Sequence, residues 1–194
     1  MLQIIEYPHP TLRRPSKSLA RVDAELHKII REMFDLMYQH SGIGLAANQV
    51  NLPYRLFIVN ATADPANKDE EHVFINPVLS QRKGSAEAEE GCLSLPGLYG
   101  QVKRPEKVTL NAYNLAGQEI TAELGGLFAR VVQHEIDHLD GILFVDKLSP
   151  TGEIAARESL DEFQRDFDRR RERGEIPDDA TIAAHLAELE RLRC

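Results

Sequence analysis

Cysteine is scarce in this sequence, which has only Cys92 and Cys194. Two cysteines, one of them the last residue, do not supply the disulfide framework of a small secreted protein. Long hydrophobic runs are also missing, since no apolar stretch approaches the roughly 18 residues that a membrane span requires. The first residues lack the basic start and apolar middle of a secretory signal. The expected location is therefore cytoplasmic.

Positive charge is in deficit as well. The 194 residues include 23 Lys+Arg against 31 Asp+Glu, which gives a formal net charge of −8. This balance argues against membrane or sequence-specific nucleic-acid binding through a broad basic face. A composition that is 42% hydrophobic and 28% charged is typical of a globular protein and too apolar for a disordered one. The length suits one domain, or one domain with a tail.

Local patterns predict an α+β fold. Asp23 is placed to cap a helix with apolar residues at helical spacing, and Ser41-Gly42 ends that helix. Four short stretches rich in β-branched and aromatic residues predict strands, at 55–60, 73–79, 107–113 and 118–122. The helical period returns over residues 126–139. We predict small mixed or antiparallel β-sheets wrapped around this central helix.

The end of the chain is charged and helical. Ser149-Pro150 is a typical helix start, and the helix is expected to run to about Arg173, before Gly174 and Pro177. A last short helix is predicted over residues 178–194. The sequence thus predicts a main domain over residues 1–150 and a helical extension over residues 151–194.

The most informative motif is His134-Glu135-Ile136-Asp137-His138. Two histidines four apart on a helix project from one face and can bind one cation, with the glutamate beside a water on that cation. The alternative is a pair of histidines satisfied by ordinary hydrogen bonds. A catalytic metal needs a third protein ligand, and the sequence offers two candidates, Glu158 on the next helix and Cys92.

Two further segments bear on that choice. Cys92 lies in Glu90-Gly91-Cys92-Leu93-Ser94, where it is a poor core residue, although burial in a core is the commonest fate of a lone cysteine. The segment GIGLAANQ, residues 42–49, places glycines where a ligand could approach the backbone, although a helix C-cap and turn is the commoner explanation.

Together, GIGLAANQ, EGCLS and QHEIDH resemble the peptide deformylase family, over about residues 1–148. The resemblance implies a metal-dependent hydrolase, with residues 1–150 as its catalytic domain, that removes the N-formyl group from formyl-methionine at the start of new polypeptides. It also implies that Cys92, His134 and His138 bind the metal and that Glu158 is a surface residue. Iron(II) is the family's native metal, and the ligand chemistry equally admits zinc, cobalt or nickel.

The resemblance further assigns Glu135 as the general base, and the Gln49 side chain and Leu93 backbone N–H as donors to the developing oxyanion. The substrate is expected to bind as an added strand. The residues implied for substrate binding are Ile43, Gly44, Gly91, Leu127 and Val131, although Leu127 is as readily explained as a core residue. Glu90 and Arg104 are expected to support the site through polar contacts.

Some points depart from the resemblance or lie outside it. Arg130 stands on the metal helix where some relatives have an apolar residue. The arginines of residues 169–173 suggest a ribosome contact, or simply a solvated helix face. A zinc endopeptidase using Glu158, and a metal-binding protein or ribosome-associated factor without turnover, are the competing functions.

Overall fold

A computed structural model of the protein describes residues 2–194. It is an α+β structure in which seven strands and two of its helices precede a C-terminal helical pair. The helices and strands, in chain order, are α1 (Ala24–Gln39), β1 (Gly44–Ala46), β2 (Leu56–Val59), β3 (His72–Lys83), β4 (Ala86–Cys92), β5 (Leu95–Arg104), β6 (Lys107–Tyr113), β7 (Glu119–Gly125), α2 (Gly126–Leu139), α3 (Pro150–Glu172) and α4 (Asp179–Arg193). Short 3-10 helices lie at Pro10–Arg13, Ala47–Val50, Lys68–Glu70 and Phe144–Lys147.

Helix α1 confirms the predicted start and end of the first helix. The Asp23 side chain accepts a hydrogen bond from the Leu26 backbone N–H, which satisfies one of the donors that a helix start leaves free. The buried face carries the apolar residues at helical spacing, namely Leu26, Ile30, Met33, Phe34 and Met37. Ser41, with a φ of 54°, turns the chain out of the helix and toward β1.

The main sheet is antiparallel and has five strands in the order β1-β2-β3-β6-β7. All four predicted strands are present in it, and β6 has the predicted bounds. Strand β3 runs four residues beyond the prediction, to Lys83, with irregular pairing along the way. Strand β1 was not predicted as a strand, and it forms one edge of the sheet.

Strands β4 and β5 form a separate two-stranded antiparallel sheet, which we call the hairpin. Neither strand is predicted by the local sequence pattern. Strand β4 reads AEAEEGC, and alanine, glutamate and glycine are poor strand formers. Its strand structure depends on pairing with β5 and on what the hairpin packs against.

Helix α2, with the predicted bounds, lies at the centre of the fold. Its apolar side chains Val131, Val132, Ile136 and Leu139 pack in one cluster with residues of β2, β3 and β6. The hairpin belongs to a different apolar cluster, in which Leu95, Leu98 and Val102 pack with Phe144, Leu148 and Ala156. The predicted arrangement of sheets around a central helix is confirmed.

The two C-terminal helices pack back onto the rest of the chain. Ser149 and Asp178 cap α3 and α4 with their side chains. Phe167, Ile176, Ile182 and Leu186 form a small buried cluster between the two helices. Arg193 at the end of α4 forms an ion pair with Asp23 at the start of α1, with N–O distances of 2.5 and 2.6 Å. The functional division near residue 150 stays a prediction.

Among residues 2–194, no helix has both the length and the apolar character needed to cross a bilayer.

Candidate metal centre

The two histidines of the HEIDH motif lie on one face of α2. Their rings are 4.9 Å apart between centroids, in an edge-to-face arrangement. The two Nε2 atoms are 3.2 Å apart and point toward the same space. Residues four apart on a helix are neighbours on its surface, so the helix itself produces this convergence.

Cys92, at the end of β4, completes the group. Its Sγ lies 3.2 Å from His138 Nε2. The three potential ligand atoms of Cys92, His134 and His138 all lie within 4.8 Å of one another, and this is the one such metal-capable group found among residues 2–194. Glu158, the competing third ligand, is exposed on α3 and is not part of the group. The structure therefore favours the cysteine over the glutamate.

Glu90 connects the histidine helix to the hairpin. Its Oε2 lies 3.0 Å from His134 Nδ1, while Arg104 donates to both carboxylate oxygens, at 2.6 and 2.8 Å. Arg130 donates to Oε1 at 2.7 Å, and Arg104 also binds Asp137 at 2.6 Å. Burial would raise the pKa of Glu90, but the hydrogen bonds from His134 and Arg104 outweigh it and hold the pKa well below its usual range. A charged carboxylate on Nδ1 leaves His134 Nε2 facing the group.

The pKa values of the two histidines are shifted in opposite directions. Burial, followed by the charges of His134 and Arg104, lowers the pKa of His138 well below its usual value, so its imidazole is neutral. Burial also acts to lower the pKa of His134, but hydrogen bonds with Cys92 and Glu90 raise it to about 10. A cation that binds here displaces the proton of His134, as is general for imidazole ligands.

Glu135 lies beside the group with one oxygen available. Its Oε2 is buried and has no hydrogen-bond partner within residues 2–194. Burial is the largest influence on its carboxyl and raises the pKa to about 7, against the opposing charges of His134 and Arg104. Gly44 packs directly on this carboxylate, because a Cβ at position 44 would collide with Glu135 and lie 3.0 Å from Val131 Cγ1. A carboxyl with this pKa and a free oxygen is suited to take and return a proton near neutral pH.

The Gln49 amide is oriented by the backbone. The Ala46 N–H donates to Gln49 Oε1 at 2.9 Å, which turns the NH₂ group toward the site. Nε2 then lies 3.4 Å from Cys92 Sγ and 3.3 Å from Ser94 Oγ. Ser94 also donates its backbone N–H to Cys92 Sγ, at 3.4 Å. These donors converge on the side of the group where Cys92 Sγ lies.

A cavity of about 520 Å³ opens onto the group. Its walls include most of the site residues that the sequence predicted, namely Ile43, Gly44, Gln49, Glu90, Gly91, Cys92, Leu93, Leu127, Val131, His134 and Glu135. His138 and Arg104 are buried and do not line the cavity. Leu127 is 57% exposed at the cavity, so the alternative that made it a core residue is wrong.

Sequence reasoning missed several residues of the polar network. Asp137 binds Arg104, and Lys147 Nζ lies 3.3 Å from Asp137 Oδ1. Ser94 contacts Cys92 as described above. Arg130 was noted for its position but given no role. Asp137 lies inside the HEIDH motif, three residues after His134. Residues three apart on a helix lie on neighbouring parts of its surface, and this spacing was the one signal in the sequence that Asp137 lies near the site. Ser94 lies two residues after Cys92 in the EGCLS segment, whereas the contacts of Arg130 became visible only with the hairpin in place.

A cysteine and two histidines beside a buried carboxyl, at the base of a cavity in an α+β fold, define a metal-dependent hydrolase. The comparisons with known proteins agree. Residues 1–153 match the polypeptide deformylase family, and the chain belongs to that family. It is 50% identical to a peptide deformylase of Rhodopirellula baltica over 189 residues, which are 97% of this chain and 94% of that protein. It is 45% identical to a peptide deformylase of Neisseria meningitidis, over 77% of this chain and 87% of that protein.

Solved structures are similar to most of the chain. A peptide deformylase of Plasmodium falciparum superposes with a TM-score of 0.84 at 39% identity, covering 86% of this chain and 98% of that one. The plant peptide deformylase PDF1B gives a TM-score of 0.85 at 36% identity, covering 92% of this chain and 95% of that one. Both similarities extend into the C-terminal helical region, because each covers more than the share of the chain that precedes α3.

Proposed function

We propose that this protein hydrolyses the N-formyl group from the formyl-methionine that begins a new polypeptide, releasing formate. The observation that carries the proposal is the Cys92, His134 and His138 group with Glu135 beside it, at the base of an open cavity. The family membership and the 50% identity to a peptide deformylase support the same reaction.

The residues present fit a divalent metal ion. The donor set is one sulfur and two imidazole nitrogens, which suits iron, zinc, cobalt and nickel, and we propose iron(II) as the native ion. Cys92, His134 and His138 would hold it, and the Glu90 contact to His134 Nδ1 would fix that ring. When bound, the ion supplies Lewis-acid chemistry, which acidifies a water and polarises a carbonyl oxygen.

Glu135 is the proposed proton carrier. Its free Oε2 would accept the proton of the attacking water and then deliver it to the departing amine nitrogen, so the carboxyl returns to its starting state. The raised pKa supports both halves of this cycle, because a group that titrates near 7 accepts and donates protons with similar ease at neutral pH.

Gln49 and Leu93 are the proposed donors to the oxyanion. As the formyl carbon becomes tetrahedral, its oxygen gains negative charge that fixed hydrogen-bond donors stabilise. The Ala46 contact holds the Gln49 amide with its NH₂ side toward the site before substrate arrives. Leu93 lines the same cavity and would contribute its backbone N–H.

The peptide would bind between two sheet edges. Strand β1, which begins at Gly44, forms an edge of the main sheet, and β4, which carries Gly91, belongs to the hairpin on the other side of the cavity. Backbone groups of Ile43, Gly44 and Gly91 would pair with the peptide as an added strand. The methionine side chain would contact Ile43, Leu127 and Val131.

The arginine cluster of α3 remains the proposed ribosome contact. In the structure, Arg169 pairs with Asp166 at 3.1 Å and Arg171 pairs with Asp179 of α4. These pairings are also what a solvated helix face would show. Ribosome pelleting with Arg169 to Arg171 changed to glutamate tests the contact, and unaltered binding would remove it.

Formate release is the experiment that tests the function. Protein purified without oxygen and confirmed to carry metal should release formate from formyl-Met-Ala-Ser. An endopeptidase would instead cleave an internal peptide bond, and a protein without turnover would release nothing. Cys92→Ala should lose its bound metal. Unchanged metal content and activity in that variant would contradict the proposed ligand set.

A further inference from the structure

The two parts of the metal group are carried by elements that no β-ladder connects. Cys92 ends β4 in the hairpin, whereas His134 and His138 lie on α2. The hairpin is a two-stranded sheet of its own, and an isolated hairpin has little stability in water. Something other than sheet pairing must therefore keep the thiol at 3.2 Å from His138.

Apolar packing does not make this connection either. The hairpin residues Leu95, Leu98 and Val102 pack toward the segment after α2 and toward α3. The apolar face of α2 packs toward the main sheet, in a different cluster. The interface between the hairpin and α2 is polar, and side-chain hydrogen bonds define its geometry.

Arg130 supplies a large part of those hydrogen bonds. It lies one helical turn before His134, and its side chain is 13% exposed. Nη1 donates to Glu90 Oε1 at 2.7 Å and to the Val102 carbonyl at 2.9 Å, and Nη2 donates to the Ala86 carbonyl at 2.8 Å. The acceptors lie on both strands of the hairpin, so one guanidinium fastens β4 and β5 to α2.

The contact with Glu90 extends to the metal group. Glu90 lies two residues before Cys92, and its other oxygen contacts His134 Nδ1 at 3.0 Å. Arg104 also binds Glu90 within the hairpin, and its bond to Asp137 at 2.6 Å is a second polar connection between β5 and α2, three residues beyond His134. The planar, forked guanidinium carries five N–H donors in a fixed geometry, which suits it to bind a carboxylate and two carbonyls at once.

We propose that Arg130 is a positioning residue for the metal centre. It holds the hairpin that carries Cys92 against the helix that carries the histidines, and through Glu90 it fixes the His134 ring. The proposal rests on the metal site of the proposed function. It concerns affinity for the metal, and is therefore testable with zinc alone.

The test compares Arg130→Met and Arg130→Lys with the unaltered protein. The matched control is Arg31→Met, since Arg31 is exposed on α1 and its hydrogen bond is to its own helix. Outer contacts of this kind are worth about 10- to 100-fold in metal affinity. Zinc dissociation constants, measured by competition with a chelator, should rise by that factor in Arg130→Met. The zinc dissociation constant of Arg130→Lys should lie between those of the unaltered protein and Arg130→Met, because an ammonium restores the ion pair with Glu90 but not both carbonyl contacts.

Two spectroscopic measurements separate positioning from general destabilisation. The cobalt-substituted Arg130→Met protein should show a weakened or shifted thiolate-to-cobalt band, because Cys92 is displaced. Amide hydrogen exchange should increase over residues 86–104 more than over β6. Wild-type zinc affinity and an unchanged band would overturn the proposal. So would exchange that rises equally in the hairpin and β6. If Arg130→Met does not fold, the same readings on Arg130→Lys decide.

The outcome is independent of catalysis. A protein that binds zinc through Arg130-dependent geometry but releases no formate would contradict the proposed function and leave this inference standing. If the protein releases formate but its zinc affinity does not change when residue 130 is replaced, the proposed function stands and this inference is contradicted.

Discussion

At the scale of single residues, the candidate site depends on how closely the backbone of β1 approaches the catalytic side chains, as well as on the chemistry of those side chains. Gly44 shows this clearly, because any side chain there would occupy the space of the Glu135 carboxylate. The glycine contributes no reactive group, yet it allows β1 to pass directly over the proposed proton carrier.

We therefore expect Gly44→Ala to lower kcat about 100-fold, since displacing a catalytic group by about 1 Å has effects of that size. Zinc content should stay unchanged, because Cys92 and the histidines are not touched. The matched control is Gly125→Ala, where an added Cβ meets only ordinary contacts at 3.9 Å. Normal turnover in Gly44→Ala would show that Glu135 has room to move without loss.

Glu135→Gln tests the proton carrier itself. The amide occupies the same volume but cannot accept a proton from water, so turnover should fall by about 10²- to 10⁴-fold. Metal analysis should show full occupancy, and the unfolding midpoint should not fall, because a neutral amide replaces a buried carboxyl. Activity within a few fold of the wild type would remove Glu135 from the mechanism.

At the scale of elements, the sequence was most informative where one helix carried its own evidence. The helical spacing of apolar residues over 126–139 predicted α2 with its observed bounds, and the HEIDH motif placed two histidines on one face of that helix. The hairpin was missed because β4 has the wrong local preferences for a strand. Glu90 and Cys92 were identified from their motif, but no local pattern could show that Arg130 reaches across to them, because that contact exists only once the hairpin packs.

The C-terminal helical pair makes a second element-scale prediction. Leu186 of α4 is 2% exposed in a cluster with Phe167, Ile176 and Ile182. Leu186→Ala should lower the free energy of unfolding by about 2 to 5 kcal/mol, as for other buried leucines. Leu192→Ala, on the same helix but 47% exposed, is the control and should change little.

Urea unfolding followed by circular dichroism measures both variants. A single, earlier transition in Leu186→Ala would mean that α4 unfolds together with the rest of the chain. A separate early transition, with the main one unmoved, would contradict the prediction and mark residues 151–194 as an independent unit.

At the scale of the whole molecule, His9 joins the beginning of the chain to its end. Its Nδ1 accepts a hydrogen bond from the Thr11 backbone N–H at 3.3 Å, and its ring meets Phe167 of α3 edge to face. Burial, followed by the charge of Arg171, lowers the pKa of His9 to about 4, while Asp179 acts to raise it and Arg170 to lower it. The folded protein thus keeps this histidine neutral at pH values where the unfolded chain protonates it.

The sign of the resulting pH dependence follows from that difference. Between about pH 6.5 and pH 4 the unfolded state binds a proton that the folded state does not, so the contribution of His9 to stability falls as the pH falls. Above pH 6.5 the histidine is neutral in both states and contributes no slope. His9→Asn keeps an acceptor for Thr11 but cannot titrate. From pH 7.5 to pH 4.5 the wild type should therefore lose about 2 kcal/mol more than the variant, measured by urea unfolding at each pH. An equal loss of stability in both proteins would mean that the packing of α3 and α4 against the first residues of the chain does not prevent His9 from binding a proton.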